Sequence, residues 1–220
     1  MTLLLRAIVR TDDAARAADA SLVTSTAGAV AAVASPHEGA HTADTAALLE
    51  HHRVVAVIFE RVPCLPARFG AVFADARMLG IQLAKREAEL AAALERVGPR
   101  CELSLTLAWN EEGDSVRTTS LASGTAYMRR GLARLELQRS RTARATEIVG
   151  RLLAALPLDQ AFIRAETCPR EAVAASVALL VLRDEIGTVR SRTEQVAATL
   201  PDITMSIQGP WPPYSFAVSA

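Results

Sequence analysis

Apolar and polar residues fall into short blocks along the first half of the chain, and the blocks differ in period. Residues 3–9 form one apolar run interrupted by Arg6 and closed by Arg10-Thr11-Asp12-Asp13, which predicts a strand. Residues 21–26 and 29–34 flank Gly28 and predict a hairpin or bulged pair. Ser35-Pro36-His37-Glu38-Gly39 has loop composition. From 45 to 60 the period lengthens. Leu48, Leu49, His52, Val55 and Phe59 recur at three- and four-residue steps, which predicts a helix with those side chains on one face and His52 half-buried. Pro63 and Pro66 end that helix, and residues 64–69 read as a short strand leading to Gly70. A second helix is predicted over 75–97, with Asp75 as N-cap and a stripe of Leu79, Leu83, Arg86, Leu90 and Leu94; Gly98-Pro99 stops it. Residues 101–109 alternate, with Leu103, Leu105 and Leu107 on one side and Glu102, Ser104 and Thr106 on the other, as in a half-buried strand.

The order β, ββ, α, β, α, β suits an antiparallel sheet with helices on one face. It is a ferredoxin-like arrangement with an extra strand, taken as a first domain over residues 1–110. Residues 110–123 are polar and read as a boundary. A long helical pattern follows over about 124–156. Tyr127, Met128, Leu132 and Leu135 make one end apolar, and Ile148, Val149, Leu152 and Leu153 the other. Arg134, Arg139, Arg141 and Arg144 occupy the middle, a pattern common in helices that project or bridge. Strands are expected over 160–166, 176–182 and 203–207, and a helix over 184–200. Residues 111–220 therefore read as a smaller C-terminal α+β domain, entered by the long helix and closed by a proline-rich tail, 209–220. The run Gly209-Pro210-Trp211-Pro212-Pro213-Tyr214-Ser215-Phe216 carries three prolines, which exclude helix and central strand. The tail must lie across a surface or end at a sheet edge.

Composition narrows the class. Half of the 220 residues are hydrophobic, only 4% are aromatic, and 22% are charged, which is a folded and not a disordered composition. The formal charges cancel, 24 against 24, so no basic field draws nucleic acid. Lys85 is the only lysine, which genomic base composition explains as well as function does. Cys64, Cys101 and Cys168 are odd in number and far apart, so neither a disulfide framework nor a zinc site follows, and buried thiols in a reducing compartment are expected. No run of about 18 residues is apolar enough to span a bilayer, and residues 1–10 lack the charged leader and length of a signal peptide. The expected location is cytoplasmic, with no membrane partner.

Little catalytic chemistry is visible. His37, His41, His51 and His52 cluster near Glu38, Asp44 and Glu50, but the His37/His41 spacing straddles Gly39, so a metal site is the weaker reading beside a polar loop. Glu111, Glu112 and Asp114 read as a solvated loop, and Ser123-Gly124 is no phosphate cradle. The arginines from Arg129 and Arg130 to Arg151 read first as a solvated helix face. No nucleophile elbow or dinucleotide fingerprint is present. Arg68 stands in a short proline-bounded apolar stretch, where a charge needs a partner. A structural ion pair is the first reading, partner recognition the second. Trp211 and Tyr214 either staple the tail to the body or present it, preformed, to another protein; stapling is favoured.

Several segments together resemble the gas vesicle F/L protein family. Leu65, Pro66, Arg68, Phe69, Gly70 and Phe73 match an L-P-x-R-F-G-T-x-F-like block, with Ala71 where threonine is common. Glu102 to Trp109 resembles the E-L-x-x-x-x-x-W strand, and Gly124-Thr125-Ala126-Tyr127-Met128 the G-x-x-Y-L start of a long helix. The tail residues Gly209, Pro210, Trp211, Pro212, Pro213, Tyr214 and Phe216 match the terminal G-P-W-P-P-Y-S-F, about 140 residues beyond the first block. The resemblance implies a two-domain α+β accessory protein of gas vesicles with a modified ferredoxin-like first domain. It further implies a non-enzymatic role with no cofactor, metal or small-molecule substrate, in which the protein binds the small hydrophobic shell protein and other accessory proteins during assembly. A ligand-sensing module, or a cofactor-independent enzyme using Arg68 or His52, is the alternative.

Overall fold

The computed structural model describes residues 2–38, 44–110, 124–168 and 172–217, with the backbone alone at 124–127, 129 and 130. It divides into two compact units, Met1–Glu102 with Pro210–Ala220, and Leu103–Gly209.

The first unit is organised on β1 (Thr2–Arg10), in which every residue from Leu3 to Val9 is buried. A strand covered on both faces shows a continuous apolar run rather than an alternation, which is how 3–9 reads. A 3-10 turn (Thr11–Asp13) and one helical turn, α1 (Ala14–Ala17), follow it; the sequence gives no periodic signal for so short a helix. The hairpin β2 (Val23–Ala27) and β3 (Val30–His37) closes with Ala27 opposite Val30. Gly28 supplies φ 56° in its turn, a conformation L side chains avoid. β3 extends to His37 where a loop was expected. β2 stops opposite Ala34, so Pro36, opposite Leu3, has a strand on one side only and its missing N–H leaves no gap in a ladder.

α2 (Thr45–Arg61) is capped by Asp44, whose carboxylate accepts the Ala47 N–H at 2.8 Å. Its buried face is His51, Val55, Ile58 and Phe59; Leu48 and Leu49 face outward. The expected stripe was thus rotated by about one residue, because the run 54–59 is apolar all round and does not fix a phase. β4 (Leu65–Pro66) and β5 (Val72–Phe73) are two short pieces on one edge of β1. The helix expected over 75–97 is two: α3 (Ala76–Lys85), with Asp75 accepting the Met78 N–H at 2.7 Å, and α4 (Glu87–Val97). Arg86 separates them at φ −116°, ψ 11°, with its N–H turned back to Leu83 O and its guanidinium on Glu89. The leucine stripe crosses the break undisturbed, so periodicity alone hides it. α3 lies close on β2: a Cβ at Gly80 would come 3.4 Å from Ser25 Oγ. The sheet runs β2-β3-β1-β4, with β5 also on β1, all pairs antiparallel.

β6 (Arg100–Trp109) was expected to complete this sheet. It instead enters the second sheet, of order β7-β8-β6-β9, and its residues from Leu103 onward belong to the second unit. That unit continues with α5 (Gly124–Ala155), β7 (Ile163–Thr167), β8 (Val173–Leu182), α6 (Ile186–Ala197) and β9 (Ile203–Trp211), whose last two residues belong to the first unit. Its core joins Leu103, Leu105 and Leu107 to Ile148 and Leu152 of α5, Leu179 and Val181 of β8, and Val189 of α6. α5 is held by its C-terminal half, where Arg144 makes two hydrogen bonds to Asp202, at 3.0 and 3.1 Å, and one to Glu147 at 2.9 Å. Met128, Leu132, Leu135 and Leu137, toward its other end, are exposed. β9 continues past the expected end at 207 through Gly209 and Pro210, as an edge strand can. The chain is mixed helix and antiparallel sheet, as the pattern of periods requires.

Leu105 is fully buried in the second core. Leu105→Ala should lower unfolding free energy by about 2–5 kcal/mol in denaturant titration, with an unchanged far-ultraviolet spectrum.

Candidate functional site

Arg6 lies in the middle of β1 and is only 7% exposed. A buried guanidinium must find acceptors. Its Nε donates to Ser35 Oγ at 2.9 Å, and its Nη1 lies 3.1 Å from His51 Nδ1. Guanidinium has no acceptor, so Nδ1 accepts and the imidazole proton sits on Nε2. Nε2 then donates to Ala67 O at 3.0 Å. The Ala67 N–H returns to Arg6 O at 2.8 Å. Arg6, His51 and Ala67 thus close a ring of hydrogen bonds linking β1, α2 and the residue after β4. Burial pulls the Arg6 guanidinium below its ordinary value, and the charge of Glu50 partly offsets this.

That ring fixes the base of an extruded turn. Pro66 pairs with Ala7 and Val72 with Leu4. Six steps along this edge therefore oppose three along β1, and Arg68, Phe69 and Gly70 are pushed out of the sheet. Both ends of the turn are tied to β1, at Ala67 N–Arg6 O and Leu5 N–Ala71 O (2.9 Å), and Ala71 N–H bonds Arg68 O across it. Gly70 takes φ 84°. The Phe69 ring stands edge-on to His51, centroids 5.7 Å apart. Arg68 is exposed, so the expectation of a buried, structurally paired Arg68 is corrected: the three-residue excess carries it off the sheet, and the buried arginine is Arg6. The clue to Arg6 was its place inside an apolar run; the pattern put His52 on the helix's inner face, where it is half-buried, and gave no sign of the fully buried His51.

The tail returns to this unit. Pro212, Pro213 and Phe216 are buried, while Trp211 and Tyr214 are each more than a third exposed. The most buried anchors are the prolines and Phe216, with Trp211 and Tyr214 packing half-exposed against α2. Ser215 donates its N–H and its hydroxyl to the Glu102 carboxylate, at 2.8 and 2.7 Å. Glu102 is buried, contrary to its place on the polar side of the expected strand, and burial raises its carboxyl above the ordinary range while the Ser215 bonds pull the other way. Burial, with Cys64 and Glu102 nearby, pushes the Tyr214 phenol up to about 12. His52 on α2 meets both tail aromatics, with ring centroids 5.5 Å from Trp211 and 5.9 Å from Tyr214, and its Nδ1 lies 3.3 Å from the Tyr214 hydroxyl.

Between these parts lies an open groove of about 600 Å³. Leu48, Leu49 and His52 of α2 form one wall, Pro66, Ala67, Arg68 and Phe69 another, and Tyr214 and Ala217 a third, with His51 also lining it. Two segments about 140 residues apart in sequence meet here. Leu65 is buried beneath the turn; Phe73 lines a smaller apolar cavity of about 290 Å³ against α3 and α4. Gly209, at φ 115°, and Pro210 lie in β9, where Gly209 O accepts from Arg190 at 2.8 Å.

Among the described residues no three His, Cys, Asp or Glu side chains are grouped to hold a metal, and no helix is long and apolar enough to cross a membrane. Gly39, His41, Glu111, Glu112, Asp114 and Ser123 lie outside the described residues, as do the side chains of Tyr127, Arg129 and Arg130. Cys64 and Cys101 are buried, Cys168 is partly so, and none of the three forms a disulfide.

The fold is similar to that of two solved gas vesicle proteins. GvpF from Anabaena sp. PCC7120 aligns with a TM-score of 0.75 at 16% identity, covering 100% of this chain and 97% of that one. GvpF from Microcystis aeruginosa aligns at 0.71 and 14% identity, covering 99% of both chains. No curated protein matches the chain significantly. Residues 6–218 match the family described as gas vesicle synthesis protein GvpL/GvpF, and the chain belongs to that family.

Two outcomes separate structural residues from surface ones. His51→Phe should destabilise by about 2–5 kcal/mol, since it strands the Arg6 donor and the Ala67 carbonyl. Arg68→Gln should stay within about 0.5 kcal/mol of the parent in the same denaturant titration. A second test concerns Glu102. A carboxyl raised by folding stabilises fully below the ordinary carboxylate range and loses that contribution as pH rises through its folded value. Glu102→Gln should therefore gain stability relative to the parent as pH rises from about 4 to 7 in melts across that range. A parent that gains instead contradicts the assignment.

Proposed function

We infer that this protein works in gas vesicle assembly as a non-enzymatic binding protein for the small hydrophobic shell subunit and for other accessory proteins. The observation that carries the reading is the groove. The turn 67–70 and the tail, the two segments most like the family's, converge on a surface whose lining is mostly apolar and whose α2 wall keeps Leu48 and Leu49 exposed, Leu49 at 63%. Large apolar side chains held open beside a cavity mark interaction sites. A hydrophobic subunit awaiting assembly needs such a surface to shield it, and helix-in-groove docking supplies one. The location that follows is cytoplasmic and at the vesicle, and the family-motif residues Pro66, Arg68, Phe69 and Tyr214 are the proposed contacts.

Leu48→Asp with Leu49→Asp should leave the melting temperature within a few degrees, because both side chains face outward, and should abolish capture of the co-expressed shell protein. Deleting the gene should remove vesicles from electron micrographs, and the double variant should fail to restore them. Full restoration by the double variant removes the groove from the reading.

A further inference from the structure

The groove carries a charge that forms no ion pair among the described residues. Arg68 stands at the rim, exposed, and makes no ion pair among the described residues. Two carboxylates of the same unit are held by other residues. Glu50, on α2, holds Arg53 in two hydrogen bonds of 2.9 Å. Glu102 is buried and takes both of its bonds from Ser215. Nor can Arg68 fold back into the sheet, because the three-residue excess between Pro66 and Val72 holds it out and the Arg6–His51–Ala67 ring fixes the base of its turn. A guanidinium held beside an apolar cavity suits a planar carboxylate, which it can grip with two parallel bonds.

We propose that the groove receives a helical segment of the shell subunit that presents aliphatic side chains and one Asp or Glu on the same face, the aliphatic groups against Leu48, Leu49 and Phe69 and the carboxylate on Arg68. This rests on the assembly reading above and adds what the partner must carry. Charge complementarity decides the occupant. A purely apolar segment leaves Arg68 desolvated and unpaired, which is unfavourable. A second copy of this chain brings another Arg68 to a symmetric contact. A segment with one carboxylate satisfies both parts of the surface.

Fluorescence anisotropy with the intact protein and overlapping synthetic peptides tiling the shell protein tests this. One acid-bearing peptide should bind, more weakly as salt rises. Arg68→Glu should weaken it at least about tenfold, with Arg68→Lys intermediate. Exchanging the peptide's acid for lysine should lose binding to the parent and regain it with Arg68→Glu. If Arg68→Glu binds as the parent does while Leu49→Asp does not, the carboxylate inference falls and the groove stands. If the intact parent captures neither peptides nor shell protein, the assembly reading falls as well. Sedimentation showing parent dimers that Arg68→Glu dissolves gives the groove to a second copy and overturns the proposal.

Discussion

A guanidinium buried in the central strand sets the terms for the first unit. Arg6 cannot remain in an apolar sheet without acceptors, and those it finds come from two different elements, a serine on β3 and an imidazole on α2, which in turn donates to the carbonyl of Ala67. Because guanidinium only donates, the histidine is held in one tautomer, and the chain of bonds has a direction. It ends where it began, at the Arg6 carbonyl. A closed ring of this kind links residues far apart in sequence. It also explains why α2, β1 and the segment after β4 hold a common geometry although β4 itself contributes only two paired residues.

The extruded turn depends on that ring. Three surplus residues on a sheet edge would otherwise be free to slide in register, as edge strands do when their pairing is short. Here one end is tied beside Arg6 and the other beside Leu5, so the excess has nowhere to go but outward. Phe69 leans back on His51 and Arg68 does not. The same polar cluster that stabilises the interior therefore aims an apolar ring and a charge at the groove.

Much of this was legible in the sequence, and the gaps have physical causes. β1 and the β2/β3 hairpin announce themselves because burial on both faces, or a glycine turn, leaves a mark in local pattern. The cap Asp75 does so for the same reason, while Asp44, which caps α2, shows in the sequence only as a carboxylate near the histidines. α2 was legible as a helix but not in phase, since Val54 to Phe59 is apolar on every side and moment arguments then fail by one residue. That single residue separates His52, which meets the tail, from His51, which closes the ring. Arg68 was misplaced because a proline-bounded apolar stretch looks like a strand, and register excess is a property of two strands that neither shows alone. The pairing of Glu102 with Ser215 joins residues 113 apart, beyond the reach of any local rule.

The tail shows how such a long-range contact bears on the groove. Its anchors are apolar and well buried, yet the bond that orients it is to a carboxylate that takes the two donors of Ser215 and, among the described residues, forms no ion pair. Burial raises that carboxyl above the ordinary range, while the Ser215 bonds pull the other way. Tyr214 stands next to that bond, and its ring is one wall of the groove while its hydroxyl reaches His52. The shape of the apolar surface is thus governed by polar contacts at its back: Arg6 behind the turn and Glu102 behind the tail. Each side of the groove's apolar lining is backed by a buried polar group whose hydrogen bonds are satisfied.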